Sequence, residues 1–262
     1  QRFGTPDFAL GFHVAADIEA GKLFASRGAA YSAVDSLDIV VPGIGAHGAS
    51  PHRGRDPIVI GAQIVLALQT IVAREVSPRE PAVVTVGVFR AGNKRNVIGE
   101  EARLELTVRS DSGQTRTLLL AAIERIAVNI GRAGGLPESQ LPYLEMKGGV
   151  PVTENNADLA SQVLKAWSDE LGEDILVAYE REGMGGEDFP FFTQEPVIPS
   201  VYFSVGGTSQ ARFAAFEAKG QSLPSHHSPL FQIEPRPAVI SGVLGTVVAL
   251  RSLMQNRKLV GD

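Results

Sequence analysis

The chain has 262 residues, of which 44% are hydrophobic and 20% charged, and its formal net charge at pH 7 is −5. This is enough apolar material for one large domain or two ordinary ones, while the negative charge and the absence of a Lys/Arg-rich run argue against a nucleic-acid-binding protein. Without cysteine there are no disulfides or thiolate ligands, so any metal ion must be held by histidine and carboxylate side chains.

The beginning of the chain does not resemble a natural start. It opens with Gln1-Arg2-Phe3 and runs into the apolar residues 8–14 without the features of a signal peptide. We expect that upstream residues were removed or are carried by another chain. No apolar stretch is expected to span a bilayer, and the cysteine-free composition fits a cytoplasmic location.

The middle of the chain has the clearest pattern. A strand at 36–41 precedes a helix that Asp56-Pro57 starts and that runs to about Arg74, since Asp is a good N-cap and Pro suits the first helical position. Strands follow at 82–90 and 102–109, then a helix at 114–132 and a strand at 142–147. The order β-α-β-β-α-β predicts a ferredoxin-like domain over residues 35–147.

Residues 1–34 and 148–262 read as a separate body interrupted by that domain. Helices are predicted at 156–171 and 235–254, and strands at 175–179 and 200–205. Strands that alternate with helices indicate a layered α/β body.

Histidine is scarce, with five in the chain, and its placement is informative. His13 ends the first apolar run, His47 follows the first strand of the ferredoxin-like domain, and His226-His227 lies in a polar loop before the last helix. Each has an ordinary alternative: a histidine after an apolar run is often a hydrogen-bonded core residue, and a histidine in a loop often has no special role. Spacing alone is a weak signal for a metal site.

Two pairs of polar residues are further candidates. Glu187 and Asp188 follow a glycine turn, where acids could be ligands, a base or partners of a ligating histidine, or could simply begin a helix. Asn96 and Arg109 could together clamp a substrate carboxylate, with a solvated sheet face as the alternative.

Seven segments, in this order, resemble the aminoacylase/carboxypeptidase family of metal-dependent amidohydrolases. Within it they are most similar to the branch of hippurate hydrolase, N-acyl-amino-acid hydrolases and auxin-conjugate hydrolases. The segments are Gly11-Phe12-His13-Val14, the stretch from Gly43 to His52, the stretch from Asp56 to Arg74, Asn96-Val97-Ile98, Thr107-Val108-Arg109, the stretch from Met184 to Phe189, and the stretch from His227 to Phe231.

The resemblance implies a zinc-peptidase-like catalytic α/β domain interrupted by a ferredoxin-like lid that forms a homodimer. It implies that His13 and His227 bind a divalent metal, zinc above all, with manganese, cobalt or nickel as alternatives. It also implies that His47 polarises the scissile carbonyl in a neighbouring subunit, that Asn96 and Arg109 hold the carboxylate of an N-acyl amino acid or small peptide, and that Glu187 acts close to the site.

The sequence also departs from the family. The Cys-Gly-His-Asp ligand stretch and the Glu-Glu pair of the family are absent, and Gly99 stands where relatives usually have proline. Two histidines do not complete a catalytic zinc site, which normally has three protein ligands. We therefore expect the chain alone to bind metal poorly and to be inactive, and a non-catalytic dimerisation or ligand-binding module remains the alternative. An unrelated α/β binding protein would need all seven matches to be coincidental.

Overall fold

The structure, a computed structural model, describes residues 4–179, 181 and 183–255. In chain order its strands are β1 (Ala9–Glu19), β2 (Leu23–Phe24), β3 (Ala29–Tyr31), β4 (Ala33–Pro42), β5 (Ala46–His47), β6 (Ala82–Ala91), β7 (Val97–Ile98), β8 (Glu101–Ser110), β9 (Tyr143–Val150), β10 (Thr153–Glu154) and β11 (Ser200–Thr208). Its α-helices are α1 (Pro57–Thr70), α2 (Gly113–Ala133), α3 (Ala157–Leu171), α4 (Gln210–Glu217) and α5 (Pro235–Gln255).

The chain divides into two units. The lid unit comprises residues 31–152 and 184–188, and the flanking unit comprises residues up to 30, 153–183 and from 189 onward. The predicted boundaries, after residues 34 and 147, fall inside β4 and β9. Residues 184–188, predicted to lie in the flanking body, belong to the lid unit.

The lid unit is built on one antiparallel sheet with the strand order β6-β8-β4-β9. Strand β8 alternates as the sequence predicts, with Leu104, Leu106 and Val108 buried. These side chains share a core with residues of α1 and α2, so the two helices cover one face of the sheet and leave the other polar. The predicted ferredoxin-like arrangement is confirmed.

Helix α1 begins as its sequence predicts. The Asp56 side chain accepts a hydrogen bond from the Ile58 backbone N–H, and Pro57 occupies the first helical position. Ile60, Ile64 and Leu68 form the buried face. The helix ends at Thr70, and the last predicted turn is instead a π-helical turn, Ile71–Glu75.

The flanking unit has a three-stranded sheet with the order β1-β11-β2, in which β1 and β11 are parallel. Trp167 of α3 is fully buried, and its indole N–H donates to the carbonyl oxygen of Gly245 in α5. The layered α/β body is confirmed. The predicted strand at 175–179 is wrong: the chain forms a 3-10 turn, Glu173–Ile175, and Leu176 makes only one bridge, to Leu23 of the two-residue strand β2.

Among the described residues, two helices have the length and composition to cross a membrane. They are Pro57–Glu75, which is α1 with its π-helical turn, and α5. The prediction that no apolar stretch reaches this length is therefore wrong. A core helix meets the same criterion, and each of these helices buries part of its surface in its own unit, through residues such as Ile64 and Ala249.

Candidate functional site

His13 lies within β1, opposite Ser204 of β11, rather than at the end of the strand. Its Nδ1 is 2.7 Å from the carbonyl oxygen of Val14. A carbonyl oxygen can only accept, so Nδ1 carries a proton, and in the neutral ring the lone pair is on Nε2. Metal-binding histidines have this arrangement, in which the backbone or a carboxylate accepts from the nitrogen that does not bind the metal.

The residue that packs on His13 is His226, not His227. The two rings are edge to face, with their centroids 5.4 Å apart. The His226 Nε2 lies 3.0 Å from the backbone N–H of Ala16 and 3.0 Å from the carbonyl oxygen of Val14. His226 therefore anchors its loop to β1 through the backbone, a role that the sequence did not reveal.

His227 has an unusual backbone conformation. Its φ is 66°, and among the described residues it is the only one other than glycine with a positive φ. A side chain in this region costs free energy, and such residues persist where surrounding structure or function requires them. His227 is exposed.

The donor chemistry at His13 suits a divalent metal, but the number of ligands does not. Within residues 4–179, 181 and 183–255, no group of three or more His, Cys, Asp or Glu side chains could hold a metal ion. A catalytic zinc ion normally has three protein ligands. The described residues therefore provide part of a metal site at most.

His47 lies in a different unit, on the two-stranded ribbon that β5 forms with β7. It is paired with Val97, and its Nδ1 accepts a hydrogen bond from the backbone N–H of Ala49 at 3.0 Å. In the neutral ring the proton is then on Nε2, which is a donor. The ring is exposed at a groove of about 940 Å³ that is also lined by residues 45–46, 90–93 and 97–101 and by Arg103.

Asn96 is held beside His47 by its backbone. The N–H of Gly48 donates to the carbonyl oxygen of Asn96 at 2.8 Å. A Cβ on Gly48 would lie 3.1 Å from that carbonyl, so glycine permits the close approach. The sequence did not reveal this contact, although a glycine directly after a candidate histidine was a usable signal.

Arg109 lies near the C-terminal end of β8. Its guanidinium is 3.4 Å from the carbonyl oxygen of Met184. The segment 184–188 is fixed here because the N–H of Ser32 donates to the carbonyl oxygen of Gly185 at 2.8 Å. The sequence-predicted residues Arg109 and Glu187 therefore belong to one end of the lid unit.

Glu187 and Asp188 are linked to each other. The N–H of Asp188 donates to Oε1 of Glu187 at 2.8 Å. The hydrogen bond between the two carboxyl groups, together with their like charge, raises the pKa of Asp188 above its ordinary value. The two acids were also compatible with the start of a helix. The helix that follows them is a single 3-10 turn, Phe189–Phe192.

Asn96 and Arg109 lie apart within one chain. Arg109 pairs with Val83 at the start of β6, whereas Asn96 follows Ala91 at its end, where Ala91 pairs with Ala102. Seven residues of β8 separate the two levels, a distance of about 24 Å at ~3.4 Å per residue. His47 and Asn96 thus form one group, and Arg109 and the segment 184–188 form another.

Comparison with known proteins places this geometry in context. Residues 25–134 match the M20 peptidase dimerisation domain. The chain is 35% identical to an N-acetyldiaminopimelate deacetylase of Leuconostoc mesenteroides, over 77% of this chain and 50% of that protein. It is 31% identical to thermostable carboxypeptidase 2 of Saccharolobus solfataricus, over 85% of this chain and 52% of that protein.

A solved structure shows the same fold. The Bacillus subtilis YXEP protein, described as a dinuclear metal-binding peptidase, superposes with a TM-score of 0.68 at 23% identity, covering 94% of this chain and 56% of that one. The chain spans about half the length of these relatives.

Proposed function

Because the chain belongs to the M20 family of metal-dependent amidohydrolases and peptidases, we propose that it serves the hydrolysis of amide bonds in N-acyl amino acids or small peptides. The observation that carries the proposal is the opposite protonation of two imidazoles. The backbone accepts a hydrogen bond from Nδ1–H of His13 and donates a hydrogen bond to Nδ1 of His47. One ring therefore has the lone pair that a metal needs, and the other has the N–H that an oxyanion needs.

His13 and His227 are the proposed metal ligands of this chain, for zinc or else manganese, cobalt or nickel. A bound divalent ion of this kind supplies a water of lowered pKa and polarises a carbonyl group. His47 is the proposed catalytic donor: its Nε2–H would stabilise the negative charge that develops on the carbonyl oxygen of the amide. Glu187, beside Asp188, is proposed to act close to the site.

The separation of the polar groups supports a homodimer. If His47 and Asn96 act on the same substrate as Arg109, we infer that the two groups come from different chains, because about 24 Å of β8 separates Arg109 from Ala102, which pairs with Ala91 at the end of β6. In a two-fold symmetric dimer each chain gives one group to its partner's site and receives the other. We propose that Asn96 of one chain and Arg109 of the other hold the substrate carboxylate.

A non-catalytic dimerisation or ligand-binding module is the second candidate. The observation in its favour is that the residues described by the structure include no group of three metal-ligating side chains. The resemblance puts the additional ligands and the general base in a Cys-Gly-His-Asp stretch and a Glu-Glu pair, which this sequence does not contain.

The test is metal analysis and hydrolysis of a panel of N-acyl amino acids by two proteins. One is the chain alone, and the other is the chain fused to the part of the Leuconostoc mesenteroides deacetylase that it does not match. We expect the chain alone to hold little metal and release no amino acid, and the fusion to do both, with activity lost on chelation. A folded, metal-loaded fusion that cleaves nothing would favour the second candidate.

A further inference from the structure

The turn after β6 is strongly basic for a chain with a net charge of −5. Residues 90–96 contain Arg90, Lys94 and Arg95 and no acid. Arg90 forms an ion pair with Glu105. Lys94 and Arg95 are exposed, and neither has an ion-pair partner in the part of the chain that the structure describes. Two adjacent charges therefore remain without a counterion from these residues.

The turn holds these charges next to His47. The N–H of Val97, the residue paired with His47, donates to the carbonyl oxygen of Lys94 at 3.2 Å. The contact between Gly48 and Asn96 closes the turn on its other side. Lys94 and Arg95 are thus attached to the ribbon by fixed backbone contacts, although their side chains extend into solvent.

A negatively charged side chain, Glu100, also lies close to this ribbon. A Cβ on Gly45 would lie 3.4 Å from Oε1 of Glu100, so this carboxylate lies over Gly45. Gly45, His47 and Glu100 line the same groove. The backbone fixes Glu100, whose carbonyl oxygen accepts from the N–H of Gly43 at 2.7 Å. Glu100 therefore lines the groove at His47, whereas Lys94 and Arg95 lie in the turn that precedes Val97, the pairing partner of His47.

We propose that Lys94 and Arg95 bind a carboxylate on the substrate side chain and so give the protein a preference for acidic N-acyl amino acids. This inference rests on the proposed function, in which His47 contacts the scissile carbonyl. With the carbonyl at His47, an anionic side chain is attracted toward Lys94 and Arg95 and repelled by Glu100. Lysine and arginine supply charge-assisted hydrogen bonds to such a group, and a local positive field raises its concentration.

The test compares two ligands that differ in one charge. Backbone amide NMR of the chain is recorded during titration with N-acetylglutamate and with its neutral counterpart N-acetylglutamine. We expect residues 92–97 to shift, and N-acetylglutamate to bind about fivefold tighter at low salt, the size expected of exposed ion pairs. The difference should shrink as salt is added.

Two variants complete the experiment. The double variant K94A/R95A should lose the preference and remain folded, because both side chains are exposed. The control R79A/K219A removes the same two charges from exposed positions elsewhere and should keep the preference. Equal affinity for the two ligands, or a preference that survives in K94A/R95A, would overturn the inference.

Hydrolysis of both compounds by the fusion protein separates this inference from the proposed function. Cleavage of both at equal kcat/KM would contradict the preference and leave the proposed function standing. A charge preference in binding without cleavage of any N-acyl amino acid would leave the anion site standing and contradict the proposed function.

Discussion

The imidazole rings of His13 and His47 differ in the hydrogen bond that the backbone makes with Nδ1. A carbonyl oxygen accepts from Nδ1 of His13, and an N–H donates to Nδ1 of His47. Both residues were predicted from the sequence as site candidates, because histidine is rare here. The tautomer of each neutral ring depends on one backbone hydrogen bond, which the sequence does not reveal.

His47→Ala is expected to lower kcat of the active protein about a hundredfold or more, the usual cost of losing one oxyanion donor. Metal content should not change, because His47 lies outside the proposed ligand set. The measurement is kcat beside metal analysis of the same sample. Wild-type rates in the variant would rule out an oxyanion role.

His227→Gly separates a metal ligand from a structural histidine. Glycine adopts a φ of 66° without strain, so the free energy of unfolding of the metal-free protein should stay the same or rise by up to ~1 kcal/mol. Metal affinity of the active protein should fall. Urea unfolding and metal titration measure the two effects, and a clear loss of stability without loss of metal would show that the residue is structural.

Among the helices and strands, the sequence predicted those that have a regular spacing of apolar residues and a clear capping residue or boundary. Helix α1 and strand β8 are found close to their predicted positions, because each repeats an apolar residue at one period and has a clear boundary. The prediction failed at 175–179, where apolar residues had too short a partner strand to pair with. The sequence also did not show that Asn96 and Arg109 lie apart within one chain, because that depends on the sheet register.

Glycine is required at position 206 of β11 because the backbone of β1 lies very close to it. A Cβ at this position would lie 1.9 Å from the carbonyl oxygen of Glu19. Gly206→Ala should therefore destabilise the protein by about 1–3 kcal/mol, as overpacking does. The matched control is Gly28→Ala in the same unit, where a Cβ meets nothing within 4 Å. Equal urea midpoints for the two variants would contradict this account of the contact.

Glu145 of β9 forms ion pairs with two basic residues on the polar face of the lid sheet. Its carboxylate accepts from Lys147 at 2.7 Å and from Arg103 at 2.8 Å, and these contacts lower its pKa below the ordinary 4.5. A lowered carboxyl pKa stabilises the folded state above the ordinary pKa, and this contribution is lost as the pH falls through the folded pKa. Glu145→Gln should therefore be less stable than wild type at pH 7 and converge with it in acid. A constant difference between pH 7 and pH 3 would contradict the assignment.

At the scale of the whole molecule, the two units have separate cores. Residues of α1, α2 and the lid sheet form one, and residues of α3, α5 and β11 form the other. The order of elements was sufficient to predict the interruption of one unit by the other. It was not sufficient to predict that residues 184–188 join the lid unit, because that depends on a few backbone contacts.

Limited proteolysis should distinguish the stabilities of the two units. The flanking unit exposes large apolar side chains, among them Phe12 at 52% and Val243 at 56%, so we expect it to be degraded first and a fragment of about residues 31–152 to persist. Mass spectrometry of the fragments is the measurement. Uniform resistance along the chain would count against this expectation.

Complementation in the fusion protein most directly tests the proposal that one active site is made from two chains. His47→Ala and Arg109→Ala are prepared separately, unfolded together and refolded as a mixture. We predict two nearly inactive proteins and a mixture with about a quarter of the wild-type activity, since half of the dimers are mixed and each of these has one intact site. A mixture no more active than its components would contradict a shared site.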